Sequence, residues 1–192
     1  KIDLSKGYWQ IPVREEDRHK LAFATQHGTY QWRVMPFGVQ NAPSVFTKMM
    51  RRLLDPLKGR GVYNFMDDLL LATETWEDHL SLLKAVLDRL RQACLTARPT
   101  KCHIGFKSLG YLGHTLGEGV LSPDIEKVAR LRDAPRPTTK TEVRSFLGFA
   151  GYYRRYVPNF SVIAAPLSDL TKKNAPTKVQ WTEACDKAFT TL

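Results

Sequence analysis

The sequence predicts an α+β fold in which a mixed first half is followed by a smaller, mainly helical second half. In residues 1–74, short apolar runs typical of strands alternate with one helical pattern. Beyond residue 122, helix-start signals and apolar residues at helical spacing predominate. The chain shows no internal repeat, and its length suits one large domain or two small ones.

The first half contains short strands and a helix that is expected to pack on them. The predicted strands are the runs LAFATQ, YQWRVM, VYNFMD and LLLAT. The helix lies in APSVFTKMMRRLLDPL, where Val45, Met49 and Leu53 recur at i, i+4 spacing and are joined by Phe46 and Met50. These residues form an apolar stripe that should face a sheet.

The next segment, WEDHLSLLKAVLDRLRQACL, is predicted to form a long helix. Its apolar stripe consists of Leu80, Leu83, Leu87 and Leu90. Glu77 and Asp78 lie in the first turn, where carboxylates interact favourably with the helix dipole. The Gly-rich section that follows, FKSLGYLGHTLGEGVLSPD, predicts turns around a short hairpin strand in YLGHTL.

The second half is predicted to be a small helical unit. SPDIEKVARLRDA offers Ser122 as an N-cap, followed by Pro and by acidic residues in the first turn. In TEVRSFLGFAGYYRRYV, Thr141 is expected to cap a helix with an apolar stripe. That stripe consists of Val143, Phe146, Leu147 and Ala150. A further small helix is predicted in FSVIAAPLSDLTKK, followed by WTEACDKAFTTL.

The composition indicates a polyanionic partner. The formal net charge is +10, and a net positive field speeds association with nucleic acid or an anionic membrane surface. Cys94, Cys102 and Cys185 form no CxxC pair, which argues against a disulfide framework or a zinc knuckle and favours a reducing compartment. No run reaches the length of a membrane span, and the start does not follow the order of a signal peptide. We therefore expect an intracellular protein, and a first residue other than Met suggests a piece of a longer one.

Two adjacent aspartates, Asp67 and Asp68, stand between two predicted strands in NFMDDLLLAT. Successive side chains of a strand point to opposite faces, so both carboxylates can meet one ligand only if the backbone turns between them. A hairpin formed by VYNFMD and DLLLAT would place the pair at its tip. The alternative is an ordinary Asp-Asp turn, since Asp is common in turns for its own backbone hydrogen bonds.

A third aspartate, Asp3, ends the short apolar run at the start of the chain. Three carboxylates from two strand ends can hold two Mg²⁺ ions about 3.5–4 Å apart, the arrangement that clamps the attacking and leaving oxygens of phosphoryl transfer. Magnesium suits such a set because it prefers hard oxygen ligands and keeps several waters. Spacing along the chain leaves open whether Asp3 meets Asp67.

Several motifs in a fixed order resemble one known family. They are DLSKGYWQI, AFATQHGTYQWRVMPFGVQNAPSVF, FMDDLLLAT, YLGHTL and RSFLGFAGYYRRYVPNFSVIAAPLSDL. Together they are similar to the reverse transcriptase of gypsy-type LTR retrotransposons and of retroviral Pol polyproteins, over essentially the whole chain. The resemblance implies a palm with the primer-grip hairpin in residues 1–115, a thumb in residues 116–175 and the start of the connection toward ribonuclease H in residues 176–192. It also implies that the fingers lie largely before Lys1.

The resemblance assigns the catalytic and metal-binding roles to the three aspartates. Asp3 and Asp67 would bridge two Mg²⁺ ions, for which Mn²⁺ is a possible substitute, and Asp68 would help to position the metal at the primer 3′-hydroxyl. Tyr8 falls where the family keeps an aromatic gate that clashes with a 2′-hydroxyl and so favours dNTP over rNTP. The alternative for Tyr8 is an ordinary core aromatic.

The resemblance also assigns nucleotide and primer contacts. In MPFGVQNAP, Phe37 and Gly38 would line the nucleotide pocket, and Asn41 would cap the helix that begins near Pro43. A buried aromatic at a turn is the competing interpretation for Phe37. The primer end would meet five residues, namely Phe65, Met66, Leu112, Gly113 and His114.

The thumb-like half is rich in basic residues that would follow a nucleic-acid backbone without reading its sequence, among them Lys127, Arg130 and Arg144. Solvated helix faces also carry such residues. Tyr152, Tyr153 and Tyr156 are expected to pack the small helical core. Two departures from the family pattern are Phe65, where Tyr is usual, and Trp9, where His is common.

The resemblance thus implies an RNA- and DNA-templated DNA polymerase fragment whose partners are a primed RNA or DNA template and dNTP, with no membrane. Its setting would be the cytoplasm, in a virus-like particle, and the ribonuclease H carboxylates would lie beyond Leu192. The alternatives are a nucleic-acid-binding remnant without catalysis and an unrelated two-metal phosphotransfer enzyme.

Overall fold

The computed structural model describes every residue from Lys1 to Leu192 and divides into two compact units, Lys1–Leu109 and Gly110–Leu192. None of the helices combines the length and the apolar character that a membrane span requires. The mixture of helices and antiparallel strands confirms the predicted α+β class.

The central sheet of the first unit has the strand order β1-β5-β4. Its strands are β1 (Ile2–Asp3), β4 (Val62–Phe65) and β5 (Asp68–Leu71), and both pairings are antiparallel. Two helices pack with this sheet, α1 (Ala42–Leu54) and α2 (Trp76–Gln92). The hairpin predicted from VYNFMD and DLLLAT is therefore present.

The core of the first unit lies between the sheet and the two helices. On α1 the buried side chains are Ala42, Phe46, Met50 and Leu54. The predicted stripe was thus partly wrong, because Val45 is 45% exposed.

The buried face of α2 is also displaced from the predicted one. It consists of Leu82, Val86 and Leu90. Leu80 and Leu87, which belong to the predicted stripe, are 47% and 43% exposed. The leucines of this helix are frequent enough to form two overlapping stripes, and contact with the sheet selects one of them.

A second hairpin in this unit has no buried residue. Its strands are β2 (Ala22–Thr25) and β3 (Gly28–Gln31), paired from Ala22↔Gln31 to Thr25↔Gly28. All eight residues are exposed. Four short 3-10 helices complete the unit, at Gly7–Gln10, Glu15–Leu21, Asp55–Leu57 and Pro99–Lys101.

The second unit contains a small antiparallel sheet and a set of helices. The sheet has the order β6-β7-β8, with β6 (Ser108–Tyr111), β7 (His114–Gly117) and β8 (Val120–Pro123). The helices are α3 (Ile125–Arg132), α4 (Lys140–Tyr152), α5 (Phe160–Asp169) and α6 (Glu183–Thr191), with a 3-10 turn at Arg154–Tyr156. Val143, Phe146 and Ala150 of α4 are buried in the core, which confirms most of the predicted stripe.

The two predicted N-caps in this unit were wrong. Ser122 belongs to β8, where it pairs with Thr115, and the cap of α3 is Asp124, whose carboxylate accepts bonds from the N–H groups of Glu126 and Lys127. Helix α4 is capped by Thr139 rather than Thr141, in a reciprocal capping box with Glu142. Hydrogen bonds from the Thr138 N–H and hydroxyl hold the pKa of the Glu142 carboxyl below its usual value.

Candidate active site

The three predicted site aspartates, Asp3, Asp67 and Asp68, lie at one end of the central sheet of the first unit. Asp68 lies directly opposite Asp3 on one side and opposite Phe65 on the other. Directly opposed residues in antiparallel strands project from the same face of the sheet. Their neighbours Ile2 and Leu69 are buried in the core, so Asp3, Asp68 and Phe65 form a row on the face that points away from the core.

Asp67 lies beside this row in the turn between β4 and β5. Phe65 and Asp68 are the last pair of the hairpin, and Met66 and Asp67 are the two linking residues. Met66 has φ 54°, in the left-handed region that suits a two-residue hairpin turn. The N–H of Leu4 donates to the Asp67 carbonyl at 3.1 Å, which ties the turn to the segment after β1. The backbone thus turns between the two adjacent carboxylates.

The side chain of Asp68 is held by a basic residue. Its Oδ1 atom lies 3.0 Å from Lys1 Nζ, and the side chains are 25% and 20% exposed. No three or more His, Cys, Asp or Glu side chains are arranged to hold a metal ion. The strand register places Asp3, Asp67 and Asp68 at one end of the sheet, and carboxylate oxygens suit Mg²⁺, which takes further oxygens from water and phosphate. Lys1 was not singled out in the sequence as part of this site.

A short 3-10 turn approaches Asp67 closely. A Cβ atom on buried Gly7 would lie 3.2 Å from Asp67 Cβ and 3.2 Å from Phe46 Cζ, closer than side chains normally pack. Glycine at this position therefore lets the segment Gly7–Gln10 lie against the aspartate turn. The next residue is Tyr8, and its phenol pKa is raised by burial and by the negative charge of Asp67.

Tyr8 and Phe37 form one aromatic surface. Their ring centroids are 5.4 Å apart, and Tyr8 also packs edge-on against Phe46 at 5.5 Å. Phe37 is 64% exposed, which rules out the buried-turn interpretation for this residue. Gly38 follows it with φ 88°, a value that favours glycine. The structure thus places all three predicted nucleotide-binding residues together.

The aromatic surface continues away from the aspartates. We call the series Tyr8, Phe37, Trp9, Trp32, Phe23 and Tyr30 the aromatic strip. Successive ring centroids lie 5.4–6.2 Å apart along it. The strip ends on the exposed β2–β3 hairpin. The strip was not predicted, although Tyr30 and Trp32 alternate within the run YQWRVM, which was predicted to be a strand.

In the second unit, the turn between β6 and β7 is held by tyrosines. Leu112 and Gly113 are its central residues, with φ 48° and 73°. The Tyr152 hydroxyl donates to the Leu112 carbonyl, and the Tyr153 hydroxyl donates to the Gly113 carbonyl at 2.9 Å. We call Tyr152, Tyr153 and the nearby Tyr156 the tyrosine clamp.

The clamp also contacts the residue after the turn. The Tyr156 hydroxyl lies 3.0 Å from His114 Nδ1, and the Tyr152 ring stacks on the His114 ring at 5.4 Å. Tyr153 is buried, as expected of a core tyrosine, whereas Tyr152 is 52% exposed. The expectation that all three tyrosines pack the helical core is therefore wrong for Tyr152.

The three basic residues predicted to follow a nucleic-acid backbone fall into two groups. Lys127 and Arg130 line a cavity of about 470 Å³ together with Phe149, Tyr152 and Tyr153, and neither forms a salt bridge. Arg144 instead donates to the Thr171 carbonyl at 2.9 Å, which joins α4 to the end of α5. Lys127 and Arg130 are therefore available to a ligand, and Arg144 has a structural role.

Residues 1–116 match the family described as reverse transcriptase (RNA-dependent DNA polymerase). The chain belongs to the reverse transcriptase family. The match covers all three aspartates, the aromatic strip and the turn formed by Leu112 and Gly113.

Curated relatives of this reverse transcriptase are retrotransposon polyproteins. The Retrovirus-related Pol polyprotein from transposon 297 of Drosophila melanogaster is 35% identical over 189 residues, covering 97% of this chain and 18% of that protein. The Transposon Tf2-3 polyprotein of Schizosaccharomyces pombe is 32% identical over 189 residues, covering 98% of this chain and 14% of its own length. The chain spans less than a fifth of these polyproteins.

Solved structures of a viral reverse transcriptase share the fold. The foamy viral protease-reverse transcriptase dRH in complex with double-stranded DNA superposes with a TM-score of 0.91 at 28% identity, covering 98% of this chain and 33% of that one. The foamy viral protease-reverse transcriptase in complex with an RNA/DNA hybrid gives a TM-score of 0.88 at 28% identity, over 98% of this chain and 25% of that one. The fold is therefore that of a reverse transcriptase polymerase domain.

The predicted site residues divide between the two units. The first unit brings together the aspartates, the nucleotide-binding residues and the turn residues. These are Asp3, Tyr8, Phe37, Gly38, Phe65, Met66, Asp67 and Asp68. The second unit brings together Leu112, Gly113 and His114 at one turn, near Lys127.

Proposed function

We propose that this chain is the part of a retroelement polymerase that adds deoxynucleotides to a primer 3′-hydroxyl on an RNA or DNA template, with two Mg²⁺ ions held by Asp3, Asp67 and Asp68. The observation that carries this proposal is the register of the central sheet, in which Asp3 lies opposite Asp68 beside the turn that presents Asp67. An ordinary Asp-Asp turn would not require a third carboxylate across the sheet.

The three carboxylates supply the hard oxygen ligands that Mg²⁺ prefers, and Mn²⁺ would suit the same oxygens. A bound divalent ion lowers the pKa of the attacking hydroxyl and neutralises charge on the phosphate. Asp67 is exposed at the turn, where a triphosphate and a primer end have access to it. The Lys1 ammonium lies against the Asp68 carboxylate, so it would compete with the ions for this ligand until they bind.

Tyr8 and Phe37 would form the pocket for the incoming dNTP. Tyr8 is fixed between Phe37 and Phe46 and lies close enough to Asp67 for that charge to raise its pKa. These two contacts restrict the movement of the Tyr8 ring. The ring would therefore obstruct a 2′-hydroxyl on the incoming nucleotide and select deoxyribose. Gly38 leaves the backbone beside Phe37 without a side chain.

Phe65 and Met66 of the first unit are proposed primer contacts, and so, separately, are Leu112, Gly113 and His114 of the second unit. Phe65 is 55% exposed in the same row as Asp68, so its ring is free to contact a sugar or base. Lys127 and Arg130 would contact phosphates of the duplex, whereas the bond of Arg144 to Thr171 makes it a weaker candidate. The foamy virus relatives were solved with double-stranded DNA and with an RNA/DNA hybrid, which supports a duplex as the partner.

In family terms, we assign residues 1–115 to the palm, 116–175 to the thumb and 176–192 to the start of the connection. The division between the two compact units falls between Leu109 and Gly110 in the chain. We place the chain in a gypsy-type Pol polyprotein that also carries ribonuclease H and acts in cytoplasmic virus-like particles.

A primer-extension assay tests the proposal. The chain would be assayed alone and within the longer polymerase of its element, on RNA and DNA templates, with Mg²⁺ and after chelation. We expect template-directed incorporation that chelation abolishes and Mg²⁺ restores. Incorporation without a template would instead indicate an unrelated phosphotransfer enzyme.

The second candidate function is a nucleic-acid-binding remnant, which is favoured by the bond of Lys1 to Asp68 and by the lack of a preformed three-ligand metal group. Duplex binding without extension by either form of the protein would establish the remnant. Extension by the longer form alone would show that the chain needs the neighbouring sequence.

A further inference from the structure

The tyrosine clamp concentrates three hydroxyl groups on one short turn. Tyr152 and Tyr153 bond to the two successive carbonyls of Leu112 and Gly113, and Tyr156 bonds to the ring of His114. All three tyrosines come from the end of α4 and the 3-10 turn after it, about forty residues from the segment that they hold.

The turn requires external support because of its backbone. Leu112 has φ 48° and Gly113 has φ 73°, so two successive residues occupy the left-handed region, where a leucine is strained. The Gly113 carbonyl accepts a second bond, from the Asp124 N–H at 3.3 Å. Asp124 is also the N-cap of α3, and the turn is thereby joined to both α3 and α4.

The hydroxyl groups, rather than the rings alone, make these contacts. A tyrosine required only for packing would be buried, but Tyr152 is 52% exposed and still donates to the Leu112 carbonyl. A phenol is protonated at neutral pH, and burial and the charge of Asp124 raise the pKa of Tyr153 further above its usual value. Phenylalanine would pack equally well at these positions, but it would remove the hydroxyl bond to the Leu112 carbonyl and leave the Gly113 carbonyl with only the Asp124 N–H as a donor.

We propose that Tyr152, Tyr153 and Tyr156 are positioning residues, which hold the turn of Leu112, Gly113 and His114 in the conformation that aligns a primer terminus. The orientation of α4 then sets the position of this turn. This inference rests on the proposed polymerase function, since the turn can align a primer only if primers are extended.

The test uses variants that remove only the hydroxyl groups, in the longest active form of the polymerase. They are Tyr152→Phe, Tyr153→Phe, Tyr156→Phe and the double variant of Tyr152 and Tyr153. Tyr63→Phe is the matched control, because Tyr63 is 59% exposed in β4 and its hydroxyl has no hydrogen-bond partner. Measurements are kcat and the KM for dNTP, duplex Kd, thermal unfolding, and amide hydrogen exchange at Leu112, Gly113 and His114.

Each single variant of Tyr152 or Tyr153 should lower kcat by about fivefold and the double variant by tenfold or more, as expected from the loss of one or two hydrogen bonds. The KM for dNTP and the duplex Kd should change by less than about twofold, because the lost bonds do not touch nucleotide or phosphate. Amide exchange in the turn should accelerate, and Tyr63→Phe should match the wild type in every measurement.

Two results would overturn the inference. One is primer extension by the double variant at the wild-type rate, whether or not its amide hydrogen exchange is faster. The other is a fall in kcat that matches only the loss of folded protein, because the tyrosines would then have a merely structural role. If the wild type itself extends no primer, the proposed polymerase function fails, and the primer-alignment role fails with it. Faster amide exchange in the double variant would still show that the hydroxyl groups hold the turn.

Discussion

One hairpin turn in each unit carries predicted site residues, and the two turns are stabilised in different ways. The turn of Met66 and Asp67 and the turn of Leu112 and Gly113 both place a bulky residue in the left-handed region, with φ 54° and 48°. The first is fastened by one backbone bond, from Leu4 to Asp67, and one of its two side chains, that of Asp67, is charged. The second is fastened through its carbonyls by tyrosine hydroxyls.

This difference indicates what each turn presents to a ligand. The first turn presents carboxylate side chains, so substitutions there should act through charge and leave the fold intact. The second turn presents its backbone, so substitutions there should act through conformation and affect stability and activity together. Four predictions test this distinction, in order of decreasing effect.

The largest effect is expected for Asp67→Asn. Loss of one negative ligand should lower Mg²⁺-dependent extension by at least about a hundredfold, because metal-ion stabilisation of the transition state is worth several kcal/mol. Duplex affinity should hardly change, since it comes mainly from basic groups. Extension and duplex Kd are measured beside Asp88→Asn, an exposed carboxylate that pairs only with Lys84. A matching fall in duplex binding would mean that Asp67 mainly holds the fold.

Gly113→Ala should have the next largest effect and should act on the backbone. The left-handed φ costs an alanine roughly 1–2 kcal/mol. The new Cβ would also lie 3.1 Å from Lys127 Nζ and 3.2 Å from a Tyr152 ring carbon. We expect a lower thermal midpoint and severalfold slower extension.

A matched control for this variant exists in the same sheet. Gly119 has the same φ of 73°, but a Cβ there would meet nothing within 4 Å. Gly119→Ala therefore measures the backbone penalty alone. If the two variants are equally stable and equally active, the surroundings of Gly113 contribute nothing. That result would contradict the proposed role of the tyrosine clamp.

Lys1→Met should have a moderate effect that is specific to the first turn. Removing the ammonium from Asp68 removes a cation that competes with Mg²⁺, so the Mg²⁺ concentration for half-maximal extension should fall, by about fivefold for a partly buried pair worth about 1 kcal/mol. The measurement is a Mg²⁺ titration of the extension rate, with exposed Lys58→Met as the control. A higher Mg²⁺ requirement would show instead that Lys1 holds Asp68 in its ligating position.

Met66→Gly should have the smallest effect, and it should be stabilising. Glycine adopts the left-handed conformation without the side-chain penalty of roughly 1–2 kcal/mol, although part of this gain is lost to the greater freedom of glycine in the unfolded chain. We expect a gain of less than about 1 kcal/mol in the free energy of unfolding measured in urea. A loss of stability would reveal that Met66 makes packing contacts that outweigh its backbone strain.

The sequence predicted those features that depend on local pattern. The β4–β5 hairpin and the short strand ending at Asp3 follow from alternation and turn residues close in the chain. The run YLGHTL was predicted as one hairpin strand, but it contains the turn of Leu112 and Gly113 between β6 and β7. The family resemblance then assigned Tyr8 and Phe37 to one pocket, and their rings are in contact.

The sequence could not predict features that depend on distant partners. Ser122 is a good capping residue, but pairing with Thr115 places it in β8. Leu80 and Leu87 suit a buried stripe as well as Leu82 and Val86 do, and only the position of the sheet decides between them. The bond of Lys1 to Asp68 and the tyrosine clamp join residues about forty or more positions apart, and no local pattern marks such pairs.

The aromatic strip gives the protein an optical property of its own. Trp9 lies between Trp32 and Phe37, at 6.2 and 5.8 Å, and Phe37 touches Tyr8 beside Asp67. The indole emission of Trp9 should therefore respond when a molecule covers Phe37. Trp76 and Trp181 do not belong to the aromatic strip, because Trp76 stacks on His79 and Trp181 lies beneath Arg136. The emission of these two tryptophans should therefore stay constant. Occupancy next to the aspartates can thus be followed by intrinsic fluorescence, without a label.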